Sequence, residues 1–263
     1  MIKAVKNKNK LTGLLIFITL VLGVIYLSLF SAREEKKVIE KIDLSGNHFL
    51  SKEEYFNFAR LNKLSDYRFL SPSIIKDRLE KHPYVFSADV RFVDEDKVQV
   101  VIKEKSFQAV LLTDSDQYLI TESFMLVPLF SFTKNVDLPV IENPLVTGKL
   151  KSFDILKTDE TKSAFRIIDA IKMINPGIYS ELSDIDLRHG RDIVLRFRGY
   201  DFEIIFGRGN EVPKLMSFEK VWDRISKDKQ NADSFINYVD LRFSKLIYIG
   251  VAGLEPEAKG IKG

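Results

Sequence analysis

The chain has 263 residues, a formal charge of +3 and no cysteine. Disulfides, thiolate metal sites, a cysteine nucleophile and a lipidated cysteine anchor are therefore excluded. Lys3, Lys6, Lys8 and Lys10 carry more than the whole charge excess, leaving +3 − 4 = −1 for residues 11–263; the clustered cationic footprint of a nucleic-acid binder is missing, and no nucleic-acid partner is expected.

Leu11 to Phe30 is a run of twenty residues without charge, Asn, Gln or His. At about 1.5 Å per residue it covers roughly 30 Å of hydrocarbon, which predicts a transmembrane helix over 11–30 with the lipid bilayer as its solvent. A cleaved signal peptide has a shorter apolar core and a small-x-small cut site. A cut after Ala32 would place Phe30 where a small residue belongs, so an uncleaved anchor is favoured. The lysine tail, 1–10, is expected in the cytoplasm, because its four lysines stand undiluted and are joined by the α-amino charge, whereas Glu34, Glu35 and Glu40 intersperse the basic residues of the other flank, acidic residues counting only weakly. Residues 31–37 are polar and charge-mixed and read as a juxtamembrane linker.

The first folded unit opens with a predicted strand at Val38–Leu44, with Val38, Ile42 and Leu44 on one face and Gly46-Asn47 as the turn. Ser51 and Glu54 form a capping-box pattern ahead of Tyr55, Phe58 and Ala59 at helical spacing. Ser71-Pro72 starts a second helix carrying Ile75 and Leu79, which should end before His82-Pro83. Two strands follow. Phe86, Ala88, Val90 and Phe92 alternate with polar residues in one, and Val98, Val100 and Ile102 in the other, with Asp94-Glu95-Asp96 as the hairpin turn. The order is β-α-α-β-β.

From Phe107 strands dominate. They are predicted at Phe107–Leu112, Tyr118–Thr121, Pro139–Ile141, Ile185–Leu187, Ile193–Phe197, Phe202–Phe206, Phe235–Leu241 and Lys245–Val251. One helix carries Ala164, Ile167, Ile168, Ile171 and Ile174, and another Leu215, Phe218, Val221, Trp222 and Ile225; both stripes need a sheet to cover.

Chemistry-bearing patterns are sparse. There is no HExxH, G-x-S-x-G or phosphate loop, and Gly207-Arg208-Gly209 has Val212 where a third glycine would stand, so it reads as a strand-end turn. His48, His82 and His189 form no ligand-spaced cluster. Asp184 and Asp186 would share one side of a strand, and two carboxylates without further oxygen ligands read as a solvated face rather than a cation site. Trp222 falls within a core stripe. No catalytic residue, cofactor or metal is expected, which points to a binding or scaffold protein.

Val38 to Asn47, His82-Pro83-Tyr84-Val85 with Ala88-Asp89-Val90, Leu138-Pro139-Val140-Ile141, Phe206-Gly207-Arg208 ahead of Lys214, and Tyr238-Val239-Asp240-Leu241-Arg242-Phe243 carry a resemblance. Behind a basic tail and a single span, this set resembles the bacterial cell-division family FtsQ, called DivIB in Gram-positive bacteria. The first two stretches look like a POTRA domain, and the last closely matches the family's terminal strand. Phe107 departs from the pattern, standing where the family often has proline, and Pro-rich C-terminal extensions are missing.

The resemblance implies an α+β fold: one transmembrane helix, a POTRA domain at 38–105 and a second mixed α/β domain with a largely antiparallel sheet at 106–251; the polar, Gly/Lys-rich composition of Glu255 to Gly263 predicts a disordered tail at 252–263. It implies a non-enzymatic divisome scaffold of the cytoplasmic (inner) membrane, at the division septum with its ectodomain outside. Such a scaffold recruits FtsB-like and FtsL-like proteins, receives other divisome proteins through the POTRA domain, and links early division proteins to septal peptidoglycan synthesis. The partner contact implied is strand addition at the terminal strand, at Phe243, Ser244, Lys245, Ile247 and Val251. Alternation puts Val239, Leu241 and Phe243 on one face, so burial of Phe243 stands as the rival reading. Two other functions compete. A POTRA-containing assembly factor for outer-membrane or secreted proteins would usually carry a β-barrel, for which too little sequence remains. A membrane-anchored cell-wall hydrolase would need clustered acidic or metal-ligating residues in a cleft.

Overall fold

The computed structural model describes residues 2–31, 38–63, 70–114, 116–146, 148–227, 235–243 and 246–251, with side chains of the first helix described for 12–28. That helix, α1 (Ile2–Ser31), presents its apolar side chains to the outside all round, from Leu14 and Leu15 to Tyr26 and Leu27. The Thr19 hydroxyl donates back to the Leu15 and Ile16 carbonyls and so needs no outside partner. Among the described residues no helix is long and apolar enough to cross a membrane. The described side chains of α1 are fewer than the roughly 20 a span requires. The predicted run 11–30 extends past them at both ends, where α1 continues without described side chains; most of the linker at 31–37 and the tail at 252–263 lie outside the described residues.

The N-terminal unit comprises β1 (Lys41–Ser45), α2 (Lys52–Ala59), α3 (Pro72–Glu80), β2 (Val85–Phe92) and β3 (Lys97–Glu104). The sheet order is β1-β3-β2, with β1 parallel and β2 antiparallel to β3. Both helices start as their sequences dictate. Ser51 and Glu54 make a complete capping box, and Ser71 caps a helix with proline at its first position. Glycine is required at Gly46: its φ is +85°, and a Cβ there would lie 2.1 Å from the Ile102 carbonyl oxygen.

Three details of this unit differ from the sequence reading. The first strand begins only at Lys41, so Val38 is exposed and Ile39 fills the core position ahead of Ile42 and Leu44. A bulge between Val85 and Ser87 reverses the facing of the residues around it, burying Val85 and leaving Phe86 66% exposed beneath the Lys103 ammonium. Phe58 lies outside the core, edge-on to the buried His82 ring at 4.6 Å.

The second unit is a nine-stranded sheet with helices on one face. Its strands are β4 (Phe107–Leu112), β5 (Gln117–Thr121), β6 (Leu126–Pro128), β7 (Val140–Glu142), β8 (Leu182–Asp186), β9 (Val194–Phe197), β10 (Glu203–Ile205), β11 (Ile236–Asp240) and β12 (Tyr248–Val251). They lie in the order β12-β11-β10-β9-β8-β7-β4-β5-β6. The sheet is mixed: β4/β7, β7/β8 and β10/β11 are parallel and the other neighbours antiparallel. Between β7 and β8 run α4 (Asp159–Ile174) and α5 (Pro176–Glu181), and α6 (Glu211–Lys227) links β10 to β11. The stripes of α4 and α6, Trp222 included, join Leu111, Ile141, Ile185, Leu195, Ile204 and Val239 in one core. On the opposite face Val110, Leu119 and Val127 belong instead to the core of the N-terminal unit. The sequence reading missed β6 and α5, and it placed the start of β8 three residues late and that of β12 three residues early.

Candidate partner-binding edge

β12 is the last strand at one end of the sheet. Its hydrogen-bonding direction follows from β11, whose Leu241 N–H donates to the Ile205 carbonyl on the β10 side, in register with Ile205 opposite Asp240. Val239 and Leu241 therefore turn their backbone groups to β10, and Tyr238 and Asp240 theirs to β12. Asp240 is paired with Tyr248 and Tyr238 with Gly250, so Tyr248 and Gly250 bond inward. Ile249, between them, aims its N–H and C=O off the sheet.

The opposite end of the sheet carries a further segment. Leu126 N–H donates to the Asp154 carbonyl at 2.9 Å, Phe153 N–H to the Leu126 carbonyl at 2.7 Å, and Leu156 N–H to the Phe124 carbonyl at 2.9 Å. A bridge pairs Met125 with Ile155. Residues 153–156 thus cover β6, and Ile155, the middle residue of that segment, turns its own backbone groups outward.

Apolar side chains gather at the open end. Phe243 is 53% exposed, and Phe235, Tyr238, Leu246, Tyr248, Ile249 and Val251 are exposed beside it. The Phe243 ring stands edge-on to Tyr248, 5.1 Å between centroids. The rival reading of Phe243 as a core residue is thus corrected: the strand ends at Asp240, so alternation buries Val239 and Leu241 and goes no further. Ile247 is half-buried against the main core and precedes β12, while Val251 is exposed on it. Ser244 and Lys245 lie outside the described residues.

The turn that carries Phe243 is built from two segments far apart in sequence. The Asp240 carboxylate accepts from the Arg242 backbone N–H at 2.9 Å and from the guanidinium at 2.6 Å, and Arg242 reaches Asp192 at 3.1 Å. Those Arg242 hydrogen bonds hold the Asp240 carboxyl below the usual carboxylate range against the opposing effect of burial. The Arg242 stem runs over Gly207, where a Cβ would come within 2.8 Å of its Cγ. Below it the buried Lys214 ammonium donates to the carbonyls of Phe206 at 2.9 Å and Arg208 at 3.2 Å, and burial lowers its pKa. Phe206-Gly207-Arg208, Lys214 and Asp240-Leu241-Arg242 therefore meet in one corner, and Gly207-Arg208-Gly209 is the strand-end turn its spacing indicates.

Other polar clusters serve the fold. Asp186 is only 5% exposed, not part of a solvated face as its sequence suggested. It accepts from Asn143 at 2.9 Å and from Arg196 at 3.3 Å, and Arg196 continues to Glu142 and Glu203. Burial pushes the Asp186 carboxyl up, but Asn143, the Arg188 N–H and the two guanidiniums outweigh it and hold the pKa low. Asp184, partly exposed, accepts from Ser183 at 2.6 Å. Among the described residues no group of three or more His, Cys, Asp or Glu is placed to hold a metal ion. No curated protein gives a match to the chain. Residues 38–105 match a family model, that of the POTRA domain, FtsQ-type.

Proposed function

We propose, from the premise that this chain belongs to the FtsQ/DivIB family of bacterial cell-division proteins, that it is a non-enzymatic divisome scaffold. In this reading α1 anchors it in the cytoplasmic membrane through residues 11–30, with the tail 1–10 in the cytoplasm and the ectodomain outside. An apolar helix exposed on all sides is explained by a lipid surround. FtsB-like and FtsL-like partners dock at the β12 end around Phe243, Ser244, Lys245, Ile247 and Val251, other divisome proteins contact the POTRA domain, and the assembly links early division proteins to septal wall synthesis.

The observation that carries the proposal is the β12 edge of the nine-stranded sheet, which offers the outward backbone groups of Ile249 beside exposed Phe243, Tyr248 and Val251. Main-chain bonds to a further strand would supply affinity, and the flanking apolar side chains specificity. The test is depletion of the protein in its own host while a fluorescent copy is imaged. Filamentous or unseparated cells with the copy at midcell are expected. Normal division with a defective outer membrane would overturn the proposal in favour of an assembly factor.

A further inference from the structure

The geometry points to a rigid joint: we infer that the POTRA unit and the nine-stranded unit move as one body, locked by aromatic rings and a loop that grips the POTRA turn. The inference does not depend on which partner binds.

Its first support is a shared core. Phe107, Val110, Leu119 and Val127, all from the second unit, are buried with the POTRA residues Leu44, Leu50, Tyr84 and Val85. Phe107 packs edge-on against two POTRA rings that also meet each other at 6.1 Å, 5.2 Å from Phe49 and 5.4 Å from Tyr84, and Phe130 stacks on Tyr84 at 5.4 Å. Rings at these separations in a buried cluster add specific geometry to area burial, and a close-packed core has discrete rather than continuous arrangements.

Polar contacts fix the same joint from outside. The Tyr84 hydroxyl donates to the Pro128 carbonyl at 3.0 Å and lies 2.8 Å from the Thr133 hydroxyl. Lys134 N–H donates to the Phe49 carbonyl and the Asn135 amide to the His48 carbonyl, both at 2.8 Å. The turn so gripped is itself tied down, since Glu104 accepts from the His48 and Phe49 backbone N–H groups and from the Tyr55 hydroxyl. Phe107 is reached from Glu104 with two residues between, too few to act as a hinge once both ends are held. Inter-domain motion is the ordinary expectation unless the interface is large and hydrophobic, as this one is.

The chain has no cysteine, so paired labels can be placed at will. In the full chain in lipid nanodiscs, Asp77→Cys with Ser217→Cys spans the joint, and Asp77→Cys with Arg91→Cys lies within the POTRA unit; all three positions are exposed. Spin-label distance measurements should give the spanning pair a distribution as narrow as the internal pair. Adding Phe107→Ala and Phe130→Ala should at least double the width of the spanning pair alone. A spanning pair broader than the internal pair in the parent protein overturns the joint, whether or not the double variant folds. A double variant that folds and keeps a narrow distribution overturns the role of the rings.

Discussion

His82 is a titratable side chain placed where ionisation is penalised. Burial, with Lys105 nearby, lowers its pKa to about 4, and its Nδ1 accepts the Tyr84 N–H at 3.1 Å. The unfolded chain, with an ordinary pKa of about 6.5, takes up a proton that the folded state refuses. Stability is therefore full above about pH 6.5 and falls as the pH drops toward 4, by on the order of 2 kcal/mol after allowance for solvent screening. Urea unfolding of the parent and of His82→Gln at pH 7 and pH 4.5 tests this; equal pH dependence in the two would refute it. Gly46 makes a sterner demand, because Gly46→Ala adds a Cβ against the Ile102 carbonyl in a left-handed conformation. A loss of about 2 kcal/mol or more is expected in thermal unfolding, and a midpoint unchanged from the parent would show that the turn can relax.

The β12 strand carries the sharpest contrast at the level of elements. Ile249→Pro removes an N–H that points off the sheet, so the unfolding midpoint should stay within experimental scatter while partner capture falls at least tenfold. Tyr248→Pro removes an N–H bonded to β11 and should weaken fold and capture together. Full capture by a folded Ile249→Pro protein would rule out strand addition there. Ile247 is a poorer place for this test, since its half-buried side chain packs on the core. Much of this architecture was legible in the sequence. Capping signals placed α2 and α3, the 3.6-residue stripes placed α4 and α6, and alternation placed β3. What escaped had physical causes. Phe86 was misassigned because a bulge inserts one residue and breaks the two-residue period. β6 is three residues long and leaves no periodicity to read. The sequence motifs hold Phe206 to Arg208, Lys214 and Asp240 to Arg242, but not Asp192, and the corner they form under Phe243 depends on a long-range pairing of β10 with β11 that no local pattern encodes.

At the scale of the whole molecule, the chain enters the POTRA unit beside the Asp94-Glu95-Asp96 turn, where Asp96 accepts from the Glu40 and Lys41 N–H groups. β3 then runs eight residues away from that end to Glu104, about 26 Å at roughly 3.3 Å per residue. The nine-stranded unit follows at the far end. On the anchored reading, a locked joint fixes the distance from this entry point to the β12 edge. The β12 edge also bears on stoichiometry. A strand edge takes one added strand at a time. A foreign strand and the β12 of a second copy would lie against the same Ile249 backbone groups, so each excludes the other, and crowding the protein at one place in the cell sets self-pairing against partner capture.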